Sequence, residues 1–340
     1  MKIIVDAFGG DNAPKEIVLG AVDATACQND LLVVLVGNKT VIEEILKTET
    51  YDKTRLIIVD AKEVITNEDV PTTAIKQKKD SSLVRALEIL ANDETAGGFV
   101  SAGSTGAVLA GAFMKVGRIR GISRPALAPI LPSLKGKGVI LCDCGANVDC
   151  KPQNLQHFAL MGKAFAEAML EAKNPRVALL SNGTEDKKGN ELNHEVFGLL
   201  KADKNINFVG NCEARDVLSG DYDVIVADGF DGNIALKAAE GTANAIFSII
   251  MDGVNNGGAR AKLGALLLKP VLRGVKHKMD YNSQGGACFL GINKVIIKSH
   301  GASKRKSICA SILQAATLSK ADVCQKIKDA VKAETNNTAE

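Results

Sequence analysis

The chain has 340 residues, 46% of them hydrophobic and 24% charged, enough for one large core or two closely joined subdomains. A formal net charge of only +3 argues against a broad phosphate-tracking surface for nucleic acid, so no nucleic-acid partner is expected. Aromatic residues at 4% with no Trp, set against 32 glycines, favour tight turns and backbone-lined sites over stacking platforms.

In chain order, residues 1–6 enter a strand-like run directly, with no basic region ahead of an apolar one, so a secretory signal is not expected. From there one punctuation pattern recurs: an apolar run of strand length, a Gly/Asn/Asp loop, then a helix-length segment. Residues 3–7 lead into Gly9-Gly10-Asp11-Asn12, with Pro14 placed at a first helical position. Residues 31–36 and 56–59 are further strands. Residues 98–100 lead into the loop from Ser101 to Gly106. Residues 139–142, 177–180, 224–227 and 295–297 lead into loops opening at Asp143, Ser181, Asp228 and His300. The uncharged stretch 95–114 approaches membrane-spanning length, but its five glycines mark a buried strand, turn and helix.

Near-continuous Val/Ile/Leu strands alternating with helices predict an α/β fold of three α/β/α layers around a mainly parallel sheet. In such sheets ligands bind beyond the carboxyl ends of the strands. Six strand-end loops rich in Gly, Asn, Asp or Ser therefore form the candidate site, although any one of them alone reads equally well as a turn.

Gly103-Ser104-Thr105-Gly106 before a helix suits an anion, since successive backbone N–H groups can point at an oxyanion. It is neither a Walker A loop nor a GxGxxG fingerprint. Lys187-Lys188 offers cations beside a helix start, and as a pair they also read as solvated surface charge. Asn233 falls in the first turn of a long helix over 231–253, where it can either cap the helix or orient a carbonyl or phosphate. Of four histidines, only His300 lies at a strand end beside glycine. No metal-ligand spacing is visible, so no metal is expected, although Asp6, Asp11, Asp143 and Asp228 could supply carboxylates if brought together. Cys142 and Cys144 read as packing residues in a reducing compartment rather than as nucleophiles.

Residues 255–280 differ in composition from the rest. Arg260, Lys262, Lys269, Arg273, Lys276 and Lys278 alternate with Leu263, Leu266, Leu267 and Leu268. Pro270 predicts two short amphipathic pieces, suited to an anionic membrane surface or to a dimer contact. The rest of the chain reads as one domain over 1–335, with a closing helix or helix pair over 303–333 and a frayed tail at 336–340.

Taken together and in order, the motifs VDAFGGDNAP (5–14), SAGSTGA (101–107), RPAL (124–127), GANVDCKP (145–152), KGNE (188–191), NFVGN (207–211), DGFDGNIALK (228–237), GGA (285–287) and SHG (299–301) resemble the phosphate acyltransferase family of bacterial phospholipid synthesis. The resemblance runs from residue 1 to about residue 306. It implies a fold akin to isocitrate and isopropylmalate dehydrogenases and phosphotransacetylases, a homodimer, and no cofactor. It also implies transfer of a fatty acyl group from acyl-acyl-carrier protein to inorganic phosphate. The acyl phosphate would pass to a membrane glycerol-3-phosphate acyltransferase, giving the basic segment a purpose and the protein a cytoplasmic, peripherally membrane-associated location. Family positions depart here at Phe8, Ser104, Asn182, Asp231 and Cys288-Phe289; Asp231 adds negative charge and is given no phosphate-binding role.

On this reading Lys188 and Asn233 are the catalytic candidates: the first neutralises phosphate or developing charge, the second donates to the thioester carbonyl. Gly103, Ser104, Thr105, Gly106, Asn147, Gly232 and His300 frame the anion, and Leu263, Leu266 and Leu267 contact the membrane. Three other readings share features of the chain. A phosphotransacetylase using short acyl-coenzyme A has the same site needs. A metal- and NAD-dependent dehydrogenase shares the implied fold but needs an acidic cluster and a nucleotide-binding stretch. A non-catalytic membrane adaptor would need only residues 255–280.

Overall fold

The computed structural model describes residues 1–279 and 285–337, the side chains at 276–279 and 334–337 excepted. Among the described residues twelve strands form two sheets rather than the single sheet expected. The first contains β1 (Lys2–Asp6), β2 (Leu32–Gly37), β3 (Leu56–Asp60), β4 (Ala96–Ser101) and β5 (Ala126–Ala128). The second contains β6 (Ile130–Leu131), β7 (Val139–Cys142), β8 (Arg176–Ser181), β9 (Asn207–Glu213) and β10 (Val224–Val226). The chain returns to the first sheet with β11 (Ala287–Leu290) and β12 (Val295–Lys298).

The strand orders are β3-β2-β1-β4-β12-β11-β5 and β6-β7-β10-β8-β9. β11 runs antiparallel to both its neighbours, and β6 antiparallel to β7; every other pairing is parallel. β5 and β6 are separated only by Pro129, which cannot donate to a ladder, so one sheet ends and the other begins there. A pattern of apolar strands does not encode which strands pair, and two sheets satisfy it as well as one.

Helices cover both sheets. They are α1 (Lys15–Cys27), α2 (Lys39–Leu46), α3 (Pro71–Gln77), α4 (Ser82–Asn92), α5 (Thr105–Gly111, continued by a π-helical turn Ala112–Val116), α6 (Pro152–Met169) and α7 (Glu191–Ala202). Then come α8 (Gly229–Asn256), α9 (Gly258–Met279), α10 (Arg305–Lys320) and α11 (Val323–Asn337). Alternate strand residues face opposite sides, so Ile3 and Val5 enter one cluster while Ile4 enters another. The first cluster runs across both sheets through Phe158 and Phe165 of α6 and Ile308 and Ile312 of α10. The apolar stretch at 95–114 is indeed β4, its loop and α5.

Two helices depart from expectation. Residues 258–279 form one helix through Pro270 instead of two pieces. An interior proline removes one backbone hydrogen bond and favours a kink, and that alone does not force the chain out of helical geometry. α11 continues to Asn337, beyond the point where fraying was expected, and residues 338–340 lie outside the described residues. α8 and α9 form an exposed apolar arm. α8 buries only Gly229, Gly232 and Leu236, and its length and composition would suffice to cross a bilayer. Leu267 on α9 is 75% exposed.

α1 and α10 meet closely where Gly20 lacks a side chain: a Cβ there would lie 2.6 Å from Ile308 Cβ and 2.7 Å from the Arg305 carbonyl oxygen. Both contacts are to groups that cannot swing away. Gly20→Ala should therefore destabilise the fold by about 1–3 kcal/mol, the range for overpacking, as read from urea denaturation midpoints.

Candidate active site

Four of the six strand-end loops converge on one cavity of about 320 Å³ where the two sheets meet. The first sheet contributes Thr105 after β4, Gly285, Gly286 and Ala287 at the start of β11, and Lys298, Ser299 and His300 at the end of β12. The second contributes Cys144 and Gly145 after β7, and Asn233, Leu236, Lys237 and Glu240 from α8. The last four are spaced i, i+3, i+4 and i+7, which places them on one helix face. Leu127, Pro129 and Ile130, at the link between the sheets, supply an apolar wall.

The Gly9-Gly10 loop stands behind this cavity as a brace. Ser101 Oγ donates to the buried Asp6 carboxylate at 2.7 Å and accepts from Gly103 N at 3.0 Å. Asp11 N donates to the Gly301 carbonyl at 2.9 Å, and Asn12 Nδ2 to the Ala302 carbonyl at 3.0 Å. One loop thus holds both the 101–106 and the 300–303 turns. A Cβ on Gly9 would lie 2.5 Å from Asp6 Oδ2, so this close approach needs glycine. Burial pushes the Asp6 carboxyl upward, opposed by its hydroxyl and backbone donors.

Asp143 carries the opposite wall. Its Oδ1 accepts from Leu127 N at 2.8 Å and Ala146 N at 3.1 Å. Its Oδ2 accepts from Asn147 N at 2.8 Å and Asn147 Nδ2 at 2.9 Å. Burial raises its pKa while these donors oppose the rise. Asn147 also donates to the Pro125 carbonyl at 2.8 Å, so its amide is committed to holding the loop. Gly232 seats α8 against this turn: a Cβ there would fall 1.9 Å from the Asp143 carbonyl oxygen. Both positions therefore shape the site from behind its surface.

The cap of α8 is Asp228, whose Oδ1 accepts from Phe230 N and Asp231 N at 2.8 and 2.9 Å. Asn233 is thereby relieved of capping and faces the cavity, with its side chain against Gly145. Asp231, exposed beside Asp228, has its carboxyl pushed upward by desolvation and by that neighbouring charge. Ser104 is the N-cap residue of α5, and its hydroxyl makes no capping bond. His300 Nδ1 accepts from Ala302 N at 3.2 Å, which selects the tautomer carrying its proton on Nε2.

Lys188 is not brought to this cavity. It stands exposed on the loop that follows β8, the strand beside β10. Leu263, Leu266 and Leu267 are exposed on α9 and do not line the cavity.

Sequence reasoning missed Lys298, Lys237 and the clamp made by Gln314. Lys298 had a legible signal, a lysine ending the otherwise apolar run Val295–Lys298. It is half-buried, and its ammonium donates to the Ser299 carbonyl. Burial lowers its pKa from 10.5 to about 8, with Asp11 opposing and Lys237 reinforcing the shift. Below about pH 8 it is a cation in both folded and unfolded chains, and the folded state carries the cost of desolvating it. As pH rises through 8 the folded chain sheds that proton first and the cost is relieved. Gln314, buried on α10, accepts from Gly286 N at 2.8 Å and donates to the Gly286 carbonyl at 3.0 Å, fixing that rim. Nothing local in its sequence marks that role.

Cys144 lines the cavity but is no nucleophile: desolvation and the nearby Asp143 charge push its thiol well above the ordinary range. The eight cysteines are free thiols. Among the described residues no three His, Cys, Asp or Glu side chains are grouped to hold a metal. Asp6, Asp143 and Asp228 are each committed to local hydrogen bonds.

Asp143→Ala would leave Leu127 N, Ala146 N and Asn147 N without their acceptor. The expected loss is more than about 3 kcal/mol by urea denaturation, the cost of several unsatisfied buried donors.

Comparison with known proteins identifies the family and the fold. The family described as "Fatty acid synthesis protein" matches residues 1–326. A phosphate acyltransferase from Clostridium novyi is 46% identical over 332 residues, covering 98% of this chain and 99% of the relative. Another, from Geobacillus thermodenitrificans, is 47% identical over 328 residues, covering 96% and 98%. Among solved structures, a phosphotransacetylase from Streptococcus pyogenes shares the fold with a TM-score of 0.62 at 18% identity, covering 94% of each chain. A Salmonella typhimurium structure provisionally called a 4-hydroxythreonine-4-phosphate dehydrogenase gives 0.53 at 14% identity, covering 94% of this chain and 99% of that one. The fold is thus the three-layer α/β/α arrangement of these enzymes, and the chain belongs to the phosphate acyltransferase family.

Proposed function

We propose that this protein transfers a fatty acyl group reversibly from acyl-acyl-carrier protein to inorganic phosphate, making acyl phosphate for phosphatidic acid and phospholipid synthesis. The observation that carries this reading is the cavity itself. Its lining combines the polar groups Thr105, Asn233, Lys298 and His300 with the apolar Leu127, Pro129, Ile130 and Leu236. An anion and the start of an apolar chain can occupy it together.

The chemistry needs no enzyme nucleophile, which suits a site whose one cysteine is held as a thiol. An oxygen of hydrogen phosphate attacks the thioester carbonyl, the carbon–sulfur bond breaks, and the phosphate proton ends on the departing thiolate. The protein positions the two reactants and stabilises charge developing on the carbonyl oxygen. Asn233 is the donor proposed for that oxygen, and the 103–106 loop and His300 frame the phosphate. Lys188, outside the cavity, acts on this reading as a surface cation that draws phosphate toward the strand ends.

The exposed α8–α9 arm supports a second element of the proposal. Its leucines and basic residues suit an anionic membrane surface, where acyl phosphate could pass to a glycerol-3-phosphate acyltransferase in a cytoplasmic, peripherally bound setting. Burial of the same leucines in a homodimer is the competing use. Leu266→Glu with Leu267→Glu should weaken binding to anionic liposomes; unchanged binding with conversion of a dimer to monomers would assign the arm to the subunit contact.

Incubating the protein with palmitoyl-carrier protein and phosphate, then trapping with hydroxylamine, should yield the hydroxamate. Preference for acetyl-coenzyme A would instead favour a phosphotransacetylase, the activity named for the Streptococcus pyogenes structure of like fold. In the same assay Asn233→Ala should lower kcat by ~10²-fold, the scale of a lost oxyanion donor. Lys188→Ala should raise the phosphate KM most at low salt; a salt-independent loss of kcat would place Lys188 in the chemistry after all.

A further inference from the structure

We propose that the ammonium of Lys298, at the carboxyl end of β12, is the cation that receives the phosphate dianion in the cavity. This deepens the acyl-transfer reading, on which it rests for the identity of the anion.

Three observations point to it. First, two lysines line the cavity, and one is already matched: Lys237 Nζ lies 2.8 Å from Glu240 Oε2. Lys298 has a carbonyl, that of Ser299, as its hydrogen-bond acceptor, and among the described residues no carboxylate forms an ion pair with it. A cation withdrawn from water without a counter-ion is costly to maintain, and an arriving anion removes that cost. Second, its place in the sheet is fixed. Lys298 pairs in register with Ser101 of β4, the residue that opens the 101–106 loop, and β12 hydrogen-bonds to β4 along its length. The lysine and the glycine loop are therefore held at neighbouring strand ends by backbone ladders and not by mobile side chains. Third, the residues around it are braced. The Gly285-Gly286 rim is clamped by Gln314, and a Cβ on Gly286 would fall 2.6 Å from the Lys298 carbonyl oxygen. Asp11, which acts on Lys298 electrostatically, is itself anchored through its backbone to Gly301.

The groups facing Lys298 settle the sign of its pH dependence. Asp11 favours its charged form and Lys237 disfavours it, with desolvation the largest influence, so the free site loses its charge above about pH 8. Bound phosphate would restore the proton. Phosphate affinity should consequently weaken as pH rises through 8, in addition to any change in the ionisation of phosphate itself.

The test uses the full-length protein and inorganic phosphate. Thermal unfolding is followed with and without phosphate, and acyl-phosphate formation is assayed with palmitoyl-carrier protein from pH 6.5 to 9.5. Lys298→Met should abolish the phosphate-dependent rise in Tm and increase the phosphate KM at least 30-fold, with the KM for the acyl donor little changed. Lys298→Arg, whose charge does not titrate in this range, should retain phosphate stabilisation and flatten its decline above pH 8. A phosphate KM within twofold of the unmodified protein in Lys298→Met would overturn the proposal. So would an Arg variant that loses stabilisation as steeply with pH as the unmodified protein, and this variant serves if the Met variant does not fold. Phosphate stabilisation that depends on Lys298, in a protein forming no acyl phosphate, would uphold the site and discard the reaction assigned to it.

Discussion

The architecture turns on one buried carboxylate. Asp143 leaves the end of β7 in the second sheet, yet its Oδ1 accepts from Leu127 N in β5 of the first. Its other bonds hold the Ala146-Asn147 turn, and its backbone carbonyl packs against Gly232 in the first turn of α8. Two sheets and the helix carrying Asn233 are thus tied to a single side chain. A buried charge is tolerated only when its hydrogen-bonding capacity is filled, and here four N–H contacts fill it. The cavity exists because this junction keeps the strand ends of both sheets facing one another.

From that junction the division of labour in the site follows. Residues that look functional in sequence fall into two groups once placed. Thr105, Asn233 and His300 reach the cavity surface, whereas Asn147 and Gly232 act behind it, one by filling the Asp143 network and the other by permitting a close backbone approach. The distinction is geometric. An Asn with its amide given to a carbonyl and a carboxylate has little left to offer a ligand, while an Asn relieved of capping by Asp228 has all of its amide available.

The α8–α9 arm shows the same helix serving two environments. The first turns of α8 present Asn233, Leu236, Lys237 and Glu240 to the cavity, while Ile246, Ile249 and Met251 further along are exposed. The candidate site and the apolar surface are therefore connected by one continuous helix.

Much of this was legible in the residues. Apolar runs of strand length, closed by Gly/Asn/Asp loops and followed by helices, require a covered parallel sheet, because only that arrangement buries such strands on both faces. They also require a site at the carboxyl ends, since each loop opens there. Ordered motifs along 1–306 added the chemistry. What no local pattern contained was pairing. Whether twelve strands make one sheet or two, and which loops then meet, depends on contacts between segments more than a hundred residues apart, such as Lys298 with Ser101. Lys298 ends an apolar run and Lys188 lies seven residues beyond one, yet neither position in the sequence says which lysine meets the other loops; only the fold separated the lysine facing solvent from the lysine facing the cavity.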